Sequence, residues 1–412
     1  MTRPAWWEQG PGPDDGRGPG PARPPGGRPP VPDGGSQRPA TPRPAPTTRY
    51  GGPPGWNVPP GPPPAPPRSG PRPAPRRRRP SRWRPPGAPA LVGAAVVAGL
   101  VGVVLFPETL GLDERSPFVQ IVAFRPQLTT ITLVLALLAA FGAWRRAAAG
   151  TLVVALAVGL VSGIGAAEVA GRTVGSATVA DTSGGLVVLA LNTYTGLADA
   201  DDLAALIQAR NPDLISLPEA RGDLRRRLES RLDEGQGGTG YRAYSADDAD
   251  DASGMTVFVR SSLGRPTVTQ DRDGTYPAIV VDLPRSAPGV ASGLRFVADH
   301  PRSPKPGDTY GWVRDVGRLA QWCDADRPTI IAGDMNATAD QAHFRASTAN
   351  CTDAGSATGD GVTGTWPSWL PSFLGAQIDH VLVTGGPRPT GFEIAPVGGT
   401  DHRAVLARVT AG

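Results

Sequence analysis

The hydrophobic pattern divides the chain into three stretches. Residues 1–88 carry almost no aliphatic side chains and follow neither a period of 2 nor one of 3.6. Three uncharged apolar runs come next: PALVGAAVVAGLVGVVLF (89–106), QLTTITLVLALLAAFGAW (127–144) and AGTLVVALAVGLVSGIGAA (149–167). From 186 onward, short apolar runs alternate with amphipathic ones. LVVLALN (186–192), DLISL (213–217), TVFVR (256–260), AIVVDL (278–283), LRFVADH (294–300), TIIAGD (329–334), IDHVLVT (378–384) and AVLARV (404–409) predict strands. DDLAALIQAR places Leu203, Leu206 and Ile207 on one face of a helix, and a second helix is expected over 308–323. This alternation predicts an α/β or α+β domain around a sheet core.

Each apolar run has 18 or 19 residues, the short end of what crosses a hydrocarbon core of roughly 30 Å. Three such runs separated by short polar connections predict three transmembrane helices. The first starts too far from Met1 for a cleaved signal peptide. The expected organisation is a tail (1–88), a membrane region (89–170), a linker (171–185) and a globular domain (186–412).

Charge sharpens this division. The net charge of +4 hides 15 Arg against 4 acids in 1–88, 5 against 4 in 89–173, and 21 bases against 29 acids in 174–412. The tail holds 29 of the 48 prolines. It cannot bury enough apolar surface to offset its ordering entropy and is expected to be disordered. Its polyproline stretches suit a spacer or a docking site for a Pro-reading partner. Arg76, Arg77, Arg78, Arg79, Arg82 and Arg84 abut the first apolar run, so the positive-inside rule places the tail in the cytoplasm. The connection 107–126 has no positive excess and is expected outside. Arg145 and Arg146 return the next turn to the inside, so the globular domain is expected to be extracytoplasmic. The start of the second helix is blurred by the apolar stretch 118–124. Cys323 and Cys351 lie in the compartment where a disulfide can form, and the sequence leaves their pairing open. With 40 Arg against one Lys, and abundant Ala, Gly and Pro, the usage is that of a GC-rich bacterial genome, as in actinobacteria.

Polar residues gather where the predicted strands end: Asn192, Glu219, His300, Asp334 with Asn336, Asp379 with His380, and Asp401 with His402. A lone strand-end Asn is ordinarily a turn residue and a lone Asp a helix cap. Six such ends together suggest one site assembled from distant sequence. Oxygen donors dominate, as Mg²⁺ or Mn²⁺ prefers, and no Cys/His cluster of the zinc type is present.

The segments LALN-TYTG, PDLISLPEA, FVADH, TIIAGDMNAT, TGTWPSWLP…QIDHVLV and GTDHRAVLARV, in this order, resemble the endonuclease/exonuclease/phosphatase (DNase I-like) superfamily over about 186–409. GDMN, IDHVLV and the terminal TDH are the specific motifs. The resemblance implies a sandwich of two mixed β-sheets flanked by helices, and divalent-metal hydrolysis of phosphate esters. It implies Glu219 as main metal ligand, with Asn192 and Asp401 at the metal end. It implies Asp334 as the residue that orients and deprotonates water, and Asn336 as holder of a phosphate oxygen or the nucleophile. It implies that His402 contacts phosphate with Asp379 behind it, and that His300 lies near the leaving group. Two positions depart from the family pattern, Pro218 where glutamine usually precedes the glutamate and Tyr194 where an acid often stands. His380 reads as secondary and His343 as a surface residue. Arg302, Lys305, Arg314 and Arg318 read as solvated faces rather than as phosphate contacts.

The acidic domain is a poor generic DNA binder, because nucleic-acid affinity rests on cationic contacts. A small phosphomonoester or phosphodiester, or a lipid headgroup, fits better, although no apolar hairpin for entering a bilayer stands out. The expected activity is that of a membrane-anchored phosphoesterase. An extracellular nuclease and a non-catalytic ligand-binding ectodomain are the alternatives.

Overall fold

In a computed structural model of the chain, the described residues are 61, 85–173, 185–236, 240–246, 253–288, 290, 293–324 and 326–410. The expected disordered tail with its Pro-reading partner, and the expected linker, fall almost wholly outside them.

Three helices are long and apolar enough to cross a membrane: α1 (Ala88–Leu105), α3 (Arg125–Arg146) and α4 (Ala149–Ala170). They match the expected spans to within three residues. Small residues bring them together. Gly165 of α4 lies against Thr129 of α3 and Phe106, and Ser162 Oγ donates to Thr132 Oγ1 at 2.8 Å. Leu135, Leu138, Leu156 and Leu160 point outward, as side chains facing lipid do. The blurred stretch before α3 is a separate short helix, α2 (Phe118–Val122). Val119 of α2 is fully buried and packs into the globular domain with Trp312 and Phe344, so this stretch is a dock and not part of the span.

The buried start of α3 is held by charge. Arg125 is 1% exposed and reaches Glu108 at 2.6 Å and Glu168 at 3.1 Å, with its guanidinium 5.4 Å from the Phe106 ring. Breaking one side of such a buried set leaves an uncompensated charge, which ties the 107–126 connection to the helices.

The globular domain contains β1 (Leu186–Ala190), α5 (Ala200–Arg210), β2 (Leu214–Pro218), α6 (Gly222–Gln236), β3 (Tyr241–Ala246), β4 (Met255–Arg260), β5 (Thr267–Asp271), β6 (Ala278–Asp282) and β7 (Arg295–Ala298). Then follow α7 (Tyr310–Gly317), α8 (Leu319–Cys323), β8 (Thr329–Asp334), α9 (Ala342–Ser347), β9 (Thr352–Asp353), α10 (Ala354–Thr358), β10 (Asp379–Thr384), β11 (Arg388–Pro396) and β12 (Arg403–Thr410). The expected 308–323 helix is thus two short helices. Two sheets form, in the orders β11-β12-β1-β2-β4-β3 and β5-β6-β7-β8-β10-β9. Each is antiparallel except for one parallel pair, β1 with β2 and β7 with β8.

Alternation along each strand builds the layers. Val188, Ala190, Val257, Phe296, Ile330, Val381 and Val405 fill the space between the sheets. Val187, Leu189, Ile215 and Phe258 face the other way, against α5 and α6. Val297, Ile331 and Leu382 pack under α7, α8 and α9. Both faces of the central strands are buried, which is why they read as unbroken apolar runs. Cys323 at the end of α8 and Cys351 before β9 form a disulfide, with Cα atoms 5.1 Å apart.

Candidate active site

The site sits where strands from both sheets end on the same side. Asn192 and Glu219 follow the parallel strands β1 and β2, while His300 and Asp334 follow or end β7 and β8. β10 runs antiparallel to β8 with Asp379 opposite Asp334, and β12 runs antiparallel to β1, bringing Asp401 and His402 to the same edge. All eight residues named from the sequence are brought together.

Asp334 is the centre. Its Oδ2 accepts from Asn192 Nδ2 at 2.9 Å and from Asn336 Nδ2 at 3.3 Å, and its Oδ1 from the Asn336 backbone N–H at 2.8 Å. Nε2 of His300 lies 3.6 Å from Asp334 Oδ2, and Nε2 of His402 lies 3.8 Å from it. Burial would raise the Asp334 carboxyl, but the two imidazoles and the Asn192 amide hold it down to about 2.

His402 Nδ1 faces Asp379 Oδ2 at 2.8 Å. Burial works against the imidazolium, and the charges of Asp379 and Asp334 outweigh it, pushing His402 up to about 10. Asp379 is fixed from behind, since Thr365 Oγ1 accepts from its backbone N–H at 3.2 Å. His300 is likewise raised, with desolvation opposed and overcome by Asp334 and Glu219. Its ring stacks on Tyr276 with centroids 4.9 Å apart.

Glu219 is held by two donors, Asn192 Nδ2 at 3.0 Å and the Thr195 backbone N–H at 2.8 Å. Both Glu219 (φ 60°) and Asn336 (φ 48°) adopt left-handed backbone, a cost of order 1–3 kcal/mol per residue that clusters at functional sites. Asp401 Oδ2 accepts from Trp366 Nε1 at 3.0 Å, while its buried Oδ1 has no hydrogen-bond partner among the described residues. Desolvation raises the Asp401 carboxyl, and the nearby Glu219 charge adds to the rise.

Two groups could hold a metal. Asp334, Asp379 and His402 offer donor atoms within 4.8 Å of one another, with His402 Nδ1 and Asp379 Oδ2 already engaged with each other at 2.8 Å. The other group is Glu219, Asn192 and Asp401. It offers oxygen donors only, sets the Glu219 charge against the Asp401 carboxyl, and leaves Asp401 Oδ1 without a hydrogen bond, 3.9 Å from His402 Nε2, which fits a hard divalent cation.

Several contributors were not read from the sequence. Thr365 and Trp366 lie within the TGTWPSWLP segment but received no role, and nothing in the sequence marks Tyr276 as the ring beside His300. His380 is secondary, as expected: both ring nitrogens serve structure, facing Asp353 Oδ2 at 2.7 Å and Ala337 O at 3.0 Å. His343 is not a plain surface residue. Its Nδ1 meets Glu114 at 3.0 Å and its Nε2 lies 2.8 Å from Val313 O, because the 107–126 connection covers it. Arg302, Arg314 and Arg318 are not plain solvated charges: they pair with Asp308, Asp315 and Asp271, and Asp315 is buried.

A search of curated proteins by sequence finds no match. Among solved structures, the chain is similar to a humanized D. rerio TDP2 (14% identity, 55% of this chain and 100% of that one, TM-score 0.45). It is similar to an endonuclease/exonuclease/phosphatase from Beutenbergia cavernae (17%, 56% and 72%, TM-score 0.41) and to a Bacteroides thetaiotaomicron mannosyl-6-phosphatase (13%, 55% and 99%, TM-score 0.42). The family model described as the Endonuclease/Exonuclease/phosphatase family matches residues 189–402, more than half of the chain. That span opens just before Asn192 and closes on His402, enclosing the whole strand-end constellation; the chain belongs to the endonuclease/exonuclease/phosphatase family.

Proposed function

We propose that the protein is a membrane-anchored, divalent-metal-dependent phosphoesterase whose catalytic domain lies outside the cytoplasmic membrane. The observation that carries this reading is the contact of His402 Nδ1 with Asp379 Oδ2 at 2.8 Å, which leaves His402 Nε2 3.8 Å from Asp334 Oδ2, beside the Asn192–Glu219 hydrogen bond.

Glu219, Asn192 and Asp401 would hold Mg²⁺ or Mn²⁺, which when bound neutralises charge on a phosphate oxygen. The remaining roles belong to the chain's own groups. His402 donates from Nε2 to a phosphate oxygen as negative charge builds in the transition state, and Asp379 keeps the ring charged and aimed. Asp334 accepts a hydrogen bond from the attacking water, with Asn336 and Asn192 fixing its two oxygens. A carboxyl held at about 2 is a weak base, so its main contribution is orientation; the water proton reaches it only as the P–O bond forms. Water oxygen adds to phosphorus, the bond to the leaving oxygen breaks, and that oxygen takes up the proton. His300, 3.8 Å from Glu219 and 3.6 Å from Asp334 and shifted by both toward its protonated form, stabilises the leaving side. The acidic balance of 174–412 disfavours long nucleic acid as substrate.

The test is turnover of bis(p-nitrophenyl) phosphate by the full chain in detergent. His402→Ala is expected to lose roughly 10²–10⁴-fold in kcat. A variant as active as the wild type would refute the assignment.

A further inference from the structure

Large exposed apolar side chains are few in the catalytic domain. Among its described residues they are Leu197, Tyr310, Trp369, Phe373 and Leu374. Single exposed hydrophobes are ordinary, but a cluster marks a contact surface. Trp369, Phe373 and Leu374 lie within one loop, 364–376, and Phe373 is 71% exposed. No apolar hairpin for entering a bilayer stands out in the sequence, yet the fold exposes these three side chains together on one loop.

The loop is closed and stiff. Trp366 and Ala376 exchange backbone hydrogen bonds of 3.0 and 2.7 Å, and the Gly364 N–H donates to Ser372 O at 2.8 Å. A Cβ on Gly364 would lie 2.5 Å from the Gly375 backbone, so the two strands of the loop meet only because both positions are glycine. Arg403 clamps the loop from inside, donating to Gly364 O at 3.0 Å, to Ser368 O at 2.8 Å and to Leu370 O.

Its two sides touch two different things. On one side, Trp366 Nε1 donates to Asp401 Oδ2 at 3.0 Å and the Ser368 N–H to Asp401 O at 2.7 Å, so the loop walls the candidate active site. On the other, Gln127 in the first turn of α3 donates from Nε2 to Gly375 O at 2.8 Å and to Phe373 O at 3.2 Å. The end of a helix apolar enough to cross the membrane therefore contacts the loop that binds Asp401, with Phe373 and Leu374 exposed beside that contact. Tryptophan is enriched at membrane–water boundaries, and Trp, Phe and Leu are the side chains that interfacial segments bury there. A second copy of the chain or another protein could cover the same patch. Continuity with the membrane-spanning bundle favours the bilayer.

We infer that 367–375 seats Trp369, Phe373 and Leu374 in the bilayer surface beside α3, and that the site walled by this loop acts on the phosphate ester of a phospholipid headgroup. The inference rests on the phosphoesterase reading above. The reaction is the same hydrolysis: water oxygen adds to phosphorus, one P–O ester bond breaks, and the leaving oxygen takes the proton to become the alcohol.

The test uses the full chain in mixed phosphatidylcholine–phosphatidylglycerol vesicles. An environment-sensitive dye on Phe373→Cys is expected to shift to the blue and to be quenched by lipids carrying a shallow quencher. No quenching would overturn the seating, and a blue shift that disappears on dilution in lipid would assign the patch to a second copy instead. In parallel, the triple variant Trp369→Ser, Phe373→Ser, Leu374→Ser is compared with wild type on vesicle phospholipid and on soluble bis(p-nitrophenyl) phosphate. Lipid turnover is expected to fall at least tenfold while soluble turnover stays within twofold. Equal losses on both substrates would overturn a membrane role for the loop. A wild type active on the soluble ester and inert on lipid would overturn the substrate class and leave the phosphoesterase reading standing. Activity on neither would sink both, with the dye still deciding the seating.

Discussion

Asp353→Asn isolates one buried charge. His380 is 1% exposed, and each ring nitrogen faces an acceptor: Nδ1 lies 2.7 Å from Asp353 Oδ2, Nε2 3.0 Å from Ala337 O. Both nitrogens must carry hydrogen, so the ring is an imidazolium. Burial opposes that charge, yet Asp353 raises His380 above its usual value; desolvation raises Asp353, yet His380 pulls it below the usual carboxylate range. The pair joins β9 and β10 to the segment that follows Asp334 and Asn336. Asp353 Oδ1 also caps α10 through the Ser356 N–H at 2.7 Å, and an asparagine oxygen keeps that cap. What the substitution removes is the negative charge. Breaking one side of a buried pair costs about 3–5 kcal/mol, and because the ring can shed its proton we expect about 3 kcal/mol near pH 6. For a domain of this size that lowers Tm by roughly 6–12 °C. The His380 contribution is complete below about pH 6.5 and is lost as pH rises through its raised folded-state value. The Asp353 contribution is present above about pH 4 and is lost as acid titrates its lowered value. Scanning calorimetry of the full chain in detergent should therefore find the widest gap between wild type and variant at about pH 4–6.5, closing toward alkaline pH. A gap as wide at alkaline pH as at about pH 4–6.5 would refute the charged pair.

Two further outcomes follow from the architecture. Reducing the Cys323–Cys351 bridge releases a loop spanning 28 positions, which corresponds to about 3.6 kcal/mol on loop-entropy grounds, so calorimetry with reductant should find a lower Tm; an unchanged Tm would contradict it. An alkaline phosphatase fused after residue 412 should be active outside the cytoplasmic membrane if the three spans carry the domain across. A fluorescent protein that matures brightly in the cytoplasm at the same position would reverse the topology.

How much the sequence disclosed depended on burial. The central strands LVVLA, LISLP and TIIAGD are buried on both faces, so continuous apolar runs marked them. β5 is an edge strand with mostly exposed TVTQD, and β11 carries Pro389 with a bulge before Gly391, so neither offered a pattern to read. The strand-end residues were legible because a carboxylate, amide or imidazole after an apolar run is conspicuous. Their support was not. Asp353 looks like any helix cap, and the packing of Val119 under Trp312 requires two segments almost two hundred residues apart to meet. The left-handed backbone at Glu219 and Asn336 is likewise set by the surrounding sheets, since neither residue type demands it.

The central claim is that residues from both sheets build one metal-dependent phosphoesterase site with Glu219 at its metal end. The most direct measurement is bis(p-nitrophenyl) phosphate turnover by the full chain and by Glu219→Gln, each with Mg²⁺ or Mn²⁺ and with EDTA. The account predicts wild-type turnover that EDTA abolishes and metal restores, and a Glu219→Gln variant that stays folded but is inactive at metal concentrations saturating the wild type. Turnover unaffected by EDTA, or equal in the two proteins, would contradict it.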